Sequence, residues 1–313
     1  MSNYSEKTGP LEVDLVNDFM FRALLQKNNN VLKALIASLL HMDCNDIESV
    51  RIENEIVLGE KIQDKEFILD IRVLMNNHTS INLEMQVINR QNWVDRSTSY
   101  LCRTFDSLAH GDDYTDTHPA IQIGLLDYTL FPEAPEFYAS YYLMNEKTHQ
   151  IYSSKLRISV LDLTRIDLAT DEDKAYRIDH WAKLFKSQTW EELKMLAQED
   201  HVMEEAVSTI CDISDDSILQ EQIRAREERL AWERKMQEGY AAQKLQLEET
   251  KQQLEVQSQQ LEVKAQQLEA KDQQLEVQSQ QLEANAAQIA ELQEALRQAQ
   301  LALQAQADST AKK

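Results

Sequence analysis

Two acidic residues, Asp70 and Glu84, lie in stretches whose residue types alternate as they do in β-strands. The apolar members of these stretches share one face of a strand pair: Leu69, Ile71, Val73, Ile81, Leu83 and Met85. If a hairpin turns at Asn77, Asp70 faces Glu84 directly, because each is seven residues from the turn. Opposed side chains in a hairpin have Cβ atoms about 5 Å apart. The spacing therefore predicts two neighbouring carboxylates on the face opposite the apolar one.

Two carboxylates this close repel each other unless a cation neutralises them. Oxygen ligands favour Mg²⁺ or Mn²⁺ over zinc. Such an ion can lower the pKa of a bound water and stabilise the negative charge on a phosphate under attack. Gln86, on the same face as Glu84, is expected to orient that water or a phosphate oxygen. The alternative is a pair of solvated charges on an edge strand, with Arg72 as their ion-pair partner.

Three further motifs flank this pair. Asp70 with Glu84-Met85-Gln86 resembles the D…ExQ form of the PD-(D/E)XK signature, with glutamine where many relatives have lysine. The stretch from Asn17 to Arg22 is similar to a D-x-x-F-[KR] motif, Arg96 to Tyr100 to an R-x-x-x-Y helix, and Gly111 to Tyr114 to a G-x-x-Y turn. In this order the motifs resemble the recombination-promoting nuclease and transposase family, over roughly residues 13–240.

The resemblance implies an α/β fold, with a PD-(D/E)XK-like mixed sheet flanked by helices. It also implies a Mg²⁺- or Mn²⁺-dependent endonuclease that hydrolyses phosphodiester bonds in DNA and promotes recombination or transposition. Asp70 and Glu84 are then the metal ligands and, with Gln86, the catalytic residues. The glutamine leaves the general base unassigned. The alternative is an interaction protein without catalytic activity, which acts through its C-terminal tail.

Other residues near these motifs have two interpretations each. Asp18 is either a further metal ligand or the N-cap of a helix that begins at Phe19. Arg96 and Tyr100 lie one turn apart on a helix, so they either contact the DNA backbone or support the active-site sheet. Lys65 either approaches a phosphate or is solvated.

The elements that must position these residues follow from periodicity. Residues 13–40 have apolar residues at helical spacing, interrupted at the three asparagines 28–30, which predicts two helices. The predicted strands cover residues 49–58, 65–75, 80–88, 120–126, 136–143 and 156–163. A helix is predicted between them at residues 93–110, closed by Gly111. This order predicts a mixed sheet flanked by helices.

The second half of the chain is helical in pattern. Thr189 and Glu192 have the spacing of a capping box, which predicts that a helix begins there. From residue 254 an apolar residue occupies every seventh position: Leu254, Leu261, Leu268, Leu275, Leu282, Ile289 and Leu296. If these are the d positions of a heptad, the a positions are small or polar: Ser258, Ala265, Asp272, Ser279 and Ala286. This favours a long helix or weak coiled coil, with a partly disordered tract as the alternative.

The predicted domains are a nuclease-like core at residues 1–165, a helical region at 166–244 and a heptad-repeat tail at 245–313 that forms a weak homo-oligomer. The net charge of −22 argues against nucleic-acid binding by bulk electrostatics, so contacts with DNA must be local or assisted by cations. Three widely spaced cysteines predict a reduced, cytoplasmic setting. The first residues lack the basic and apolar regions of a signal peptide, and no apolar run approaches the length of a spanning helix, so we expect neither feature. The sequence also lacks H-E-x-x-H, P-loop and G-x-G-x-x-G motifs. We therefore expect a soluble protein that is not a metalloprotease, a P-loop nucleotidase or a nucleotide-dependent dehydrogenase.

Overall fold

The computed structural model describes residues 4–54, 70–106 and 113–310. Its six strands are β1 (Val50–Ile52), β2 (Ile71–Met75), β3 (Thr79–Gln86), β4 (Ala120–Leu126), β5 (Tyr138–Met144) and β6 (Ile151–Asp162). Its α-helices are α1 (Asp18–Lys27), α2 (Asn29–Leu40), α3 (Trp93–Phe105), α4 (Asp171–Ala175), α5 (Ile178–Lys186), α6 (Trp190–Ala197), α7 (His201–Asp215) and α8 (Ser217–Thr310). Residues up to Glu238 form one compact unit, and residues from Gly239 form a second.

The six strands form one mixed sheet in the order β1-β2-β3-β4-β6-β5. Strand β4 runs parallel to both β3 and β6, whereas the other pairs are antiparallel. Strands β3 and β4 occupy the middle of the sheet, and nearly all their residues are buried. The mixed sheet flanked by helices confirms the predicted α/β class.

The β2–β3 hairpin has the predicted turn and register. Asn76 and Asn77 adopt left-handed backbone conformations, with φ of 50° and 57°, in the three-residue loop between the paired residues Met75 and Thr79. Ile71 and Leu83 form the last pair of the ladder, and Asp70 and Glu84 are the next residues beyond this pair. Asp70 itself precedes β2, and residues 55–58 and 65–69 of the predicted strands lie outside the described residues.

Side-chain caps set the helix boundaries. The Asn28 side chain accepts hydrogen bonds from the main-chain N–H groups of Asn30 and Val31, so α1 stops and α2 begins where the interruption was predicted. The capping box of Thr189 and Glu192 is also present at the start of α6, as predicted. Helix α3 ends at Phe105, which is earlier than predicted, and Gly111 lies outside the described residues.

A single large core joins the sheet to helices from both ends of the first unit. Phe19 and Phe21 of α1 and Leu35 of α2 are buried in it with Trp181 of α5 and Ile210 of α7. Helices that follow residue 165 thus bury their apolar faces in the same core as the helices that precede the sheet. The three-part domain division, with boundaries at 165 and 244, stays a prediction.

A close packing contact sets the position of α3 over the sheet. Gly124 of β4 lies under Trp93 at the start of α3, and a Cβ atom added to Gly124 would lie 2.1 Å from the Trp93 ring. Only glycine leaves room for this approach, because any larger residue overlaps the indole. The contact brings the following turn of α3, with Arg96, over the neighbouring strand β3.

The second unit consists of the part of α8 that follows Glu238. The predicted long helix is therefore present. Every side chain that the structure describes between residues 239 and 301 is exposed. The heptad leucines are among them; Leu254 and Leu261 are 60% and 67% exposed. The coiled coil stays a prediction. In the part of the chain that the structure describes, no helix is long and apolar enough to cross a membrane.

Candidate active site

A cleft of about 850 Å³ opens along β3 in the first unit. It is bordered by residues of β2, β3, α3 and the first turns of α8, together with Asp18 of α1. Of the described residues, five acidic ones line it: Asp18, Glu53, Asp70, Glu84 and Glu233. Six arginines and no lysine line it as well within the same described ranges: Arg72, Arg90, Arg96, Arg103, Arg226 and Arg229. An acidic protein therefore concentrates guanidinium groups around a group of carboxylates.

Asp70 and Glu84 both border this cleft, as their spacing predicted. Glu84 is only 5% exposed, since β3 lies inside the sheet and helices cover it. Asp70 is half-buried at the entry to β2. For Glu84, the alternative of a solvated charge on an edge strand is wrong, because the strand is central and the residue is buried. Its ion-pair partner is Arg96 rather than Arg72.

The electrostatic state of Glu84 follows from this burial. The pKa of Glu84 is raised from 4.5 to about 7, chiefly by loss of solvent; Arg96 opposes this rise, and the negative charges of Asp70 and Asp18 add to it. Arg96 Nη2 lies 2.6 Å from Glu84 Oε1. Glu84 Oε2 is buried and has no hydrogen-bond partner among the described residues. A buried carboxylate oxygen without a donor is costly, so this atom needs a cation, a proton or a water.

Gln86 is held from two sides. Its amide nitrogen donates to the main-chain oxygen of Ile88 at 3.0 Å, and its amide oxygen accepts from Arg96 Nη1 at 3.4 Å. The Arg96 guanidinium also lies over the Tyr100 ring, 5.4 Å from its centroid. These contacts agree with the supporting role for Arg96 and Tyr100. Contact of either residue with DNA stays a prediction.

Asp18 faces the cleft but does not cap α1. The N-cap is Asn17, whose side chain accepts from the main-chain N–H groups of Phe19 and Met20, and the helix already includes Asp18. The capping interpretation of Asp18 is therefore wrong, because the extended residue before it takes that role. The Asp18 carboxylate instead binds the fork of Arg226, with Nε at 2.7 Å and Nη2 at 2.5 Å.

Residues of α8 complete the wall of the cleft, and no sequence motif indicated them. Glu233 lies 2.5 Å from Arg90 Nη2 and 3.3 Å from Arg229 Nε. Arg226 is separated from Asp18 by 208 positions in sequence, so only the fold brings the two together. The one available signal was the cluster of arginines in residues 224–234, just before the glutamine-rich repeats.

The carboxylate pair fits a hard divalent cation. Mg²⁺ commonly binds one or two protein carboxylates and completes its octahedral shell with water and substrate phosphate oxygens. Asp70 and Glu84 supply such a pair, and the unsatisfied Glu84 Oε2 is available to it. Among the residues that the structure describes, no group of three or more His, Cys, Asp or Glu is arranged to hold a metal ion. Lys65 lies outside the described residues.

A known protein family matches most of the first unit. The family model described as PD-(D/E)XK nuclease family transposase matches residues 15–241, most of the chain and every residue of the cleft. Comparisons with curated proteins and with solved structures find no match. The match includes the Asp70 and Glu84-x-Gln86 motif, the mixed sheet that carries it and the α8 residues that line the cleft. The chain belongs to the family of PD-(D/E)XK nuclease transposases.

Proposed function

We propose that this protein is a Mg²⁺- or Mn²⁺-dependent endonuclease that hydrolyses phosphodiester bonds in DNA and so promotes recombination or transposition. Membership of a nuclease family makes a nuclease-like role and binding of DNA the general expectation. The observation that carries the proposal is Glu84. It is a buried carboxylate on a central strand, with one oxygen unsatisfied and Asp70 beside it in an arginine-lined cleft.

Asp70 and Glu84 would hold the metal ion, which when bound would lower the pKa of a bound water and polarise the scissile phosphate. Gln86, whose oxygen is reached by Arg96, would orient the attacking water or a phosphate oxygen. Arg96 forms an ion pair with Glu84, and its planar fork would suit a phosphate if a cation replaced it as the partner of Glu84. Asp18 would be a further ligand only if its paired contact with Arg226 opened.

DNA would be bound locally rather than through the charge of the whole protein. The net charge is −22, yet six arginines line the one cleft that holds the carboxylates. Arginine suits this task because its planar fork matches two phosphate oxygens at once. Lys65, in the segment outside the described residues, stays a candidate for a phosphate contact.

Nicking of supercoiled plasmid by the purified full chain tests the proposal. We expect nicked and linear products with Mg²⁺ or Mn²⁺ and none in chelator. DNA binding should be weak in chelator, and Mg²⁺ added at constant ionic strength should strengthen binding by Gln86→Ala, a variant expected to bind the ion without cleaving. A folded chain that cuts no DNA with either metal, or cuts equally well in chelator, contradicts the proposal.

The tail supports a second part of the proposal, a weak homo-oligomer. Its heptad leucines are exposed on the helix, whereas the intervening a positions are small or polar. One apolar layer per heptad gives about half of a normal coiled-coil seam. The same stripe favours the other candidate function, an interaction protein without catalysis. We also propose a reducing, cytoplasmic setting, which the three free cysteines support.

A further inference from the structure

Arg22 of α1 is fully buried, with no exposed surface, at the back of the carboxylate pair. Its Nη1 donates to the main-chain oxygen of Asp70 at 2.6 Å, and its Nη2 donates to the main-chain oxygen of Asn54. A buried guanidinium is costly unless its donors are used. Here two of the Arg22 donors bind main-chain carbonyl groups, one at Asn54 and one at Asp70, and Asp70 is a proposed metal ligand.

The Asn54 side chain also binds the main chain at Asp70 and Arg72. Its side-chain nitrogen donates to the Asp70 main-chain oxygen at 2.9 Å, and its side-chain oxygen accepts from the Arg72 N–H at 2.8 Å. The Asp70 carbonyl thus receives two donors. Asp70 needs such support, because it precedes β2 and its position is not set by the ladder of β2 and β3, which begins at Ile71.

We infer that Arg22 and Asn54 are positioning residues, which hold the main chain of Asp70 so that its carboxylate shares a divalent cation with Glu84. This inference rests on the proposed function and adds to it two residues that touch neither metal nor DNA. It also assigns a role to the arginine that ends the D-x-x-F-[KR] motif.

The physical reason is the tolerance of a metal site. A cation with octahedral preference accepts little displacement of its ligands. Residues that orient the ligands typically contribute about 10- to 100-fold to metal affinity. An Arg22 that served only the core would change stability on substitution and leave the affinity of the folded protein for metal unaltered.

The experiment measures Mn²⁺ affinity of the full-length protein by calorimetry, for the unchanged chain and three variants. Asn54→Ala removes the half-buried amide and both of its contacts at little risk to the core. Arg22→Lys keeps the charge but loses the fork. Asn145→Ala is the control, since the Asn145 side chain also makes two hydrogen bonds to the main chain, accepting from the N–H groups of Lys147 and Thr148, but in an exposed turn between β5 and β6.

We expect Asn54→Ala to raise the Kd for Mn²⁺ about 10-fold or more and Asn145→Ala to leave it unchanged. Without metal, hydrogen–deuterium exchange at residues 70–72 should be faster in Asn54→Ala than in the unchanged protein. Exchange at these residues in Asn145→Ala should equal that of the unchanged protein. Arg22→Lys should match Asn54→Ala in both measurements. If it does not fold, the Asn54 variant decides the question.

The two proposals fail in different ways. Equal Mn²⁺ affinity in Asn54→Ala and the unchanged protein, both folded and both binding the ion, overturns the positioning role and leaves the nuclease proposal standing. Unchanged exchange at residues 70–72 overturns it as well. Absence of Mn²⁺ binding by the unchanged protein overturns the nuclease proposal and, with it, this inference.

Discussion

Glutamate and leucine occur in both the first unit and the tail, but their surroundings in the two regions differ. Glu84 in the first unit is 5% exposed and lies 2.6 Å from an arginine. Glu255 and Glu262 in the tail are exposed residues on the part of α8 that follows Glu238, where every described side chain is exposed. A carboxylate becomes a candidate for chemistry through burial and its neighbours, which the tail does not provide.

The two regions also differ in what their leucines do. Leu83, beside Glu84, is completely buried between two strands. Leu268 of the tail is 63% exposed. The leucine in the sheet forms the apolar support that holds a carboxylate in place, whereas the leucine in the tail needs a partner helix to be buried at all. We therefore expect changes in the cleft to abolish chemistry and loss of the tail to affect association alone.

Loss of a metal ligand should have the largest effect. Asp70→Ala and Glu84→Ala should each reduce plasmid cleavage by at least about 100-fold, more than the loss of an outer residue does. The fold should persist, because neither change removes apolar core volume. Cleavage assays alongside circular dichroism separate the two effects, with Glu146→Ala in an exposed turn as the control. Full cleavage by either folded cleft variant would disprove its role.

Glu84 should also make stability depend on pH. Its folded pKa of about 7 exceeds the ordinary value of 4.5, so the folded state holds a proton more tightly than the unfolded state. Stability is therefore lost as pH rises from 4.5 to about 7, by about 3 kcal/mol if the whole shift counts.

The glutamine in Glu84→Gln cannot titrate, so this variant should not lose stability as Glu84 ionises. In the absence of metal, its free energy of unfolding should therefore rise relative to that of the unchanged protein as pH increases across this range. Urea denaturation at pH 5 and pH 8 measures the difference. Glu146→Gln, in the exposed turn, should show a difference that does not vary with pH. The same constant difference for Glu84→Gln would show that the carboxylate is solvated in solution.

Removal of the tail should have the smallest effect on chemistry. A chain that ends at Gln243 keeps every residue of the cleft, so its cleavage rate should equal that of the full chain. Sedimentation should shift toward monomer, because the leucine stripe is lost. Leu261→Ser with Leu268→Ser in the full chain should shift it in the same direction. An unchanged oligomeric state would exclude the tail as the self-association element, and loss of cleavage would connect it to the chemistry.

The sequence predicted the carboxylate pair for a specific reason. Strand alternation and a turn at Asn77 are local properties, and they were enough to predict the register of Ile71 with Leu83, which leaves Asp70 and Glu84 as the next residues beyond the ladder. The helix break at Asn28 and the capping box at Thr189 were predicted in the same way, since each depends on contacts within a few residues. The predicted roles of the cleft residues await the experiments above.

The contacts around Asp70 and Glu84 could not be predicted from the sequence. Arg226 reaches Asp18 across 208 positions, and Arg22 reaches the Asp70 carbonyl across 48. Nothing in the local pattern near Asp18 distinguishes a cleft carboxylate from a helix cap. In the structure Asn17 caps the helix, which leaves the Asp18 carboxylate to the cleft.

What the sequence by itself determined is therefore the local order: the succession of strands and helices, the helix starts at Asn28 and Thr189, the hairpin register and the continuous helix of the tail. These follow from side-chain alternation, turn residues and caps, whose energies depend on near neighbours. Only the tertiary structure decided which charges are paired and which are buried. Partners distant in sequence meet when the core closes, and desolvation, which raises the pKa of Glu84 to about 7, exists only in the folded protein.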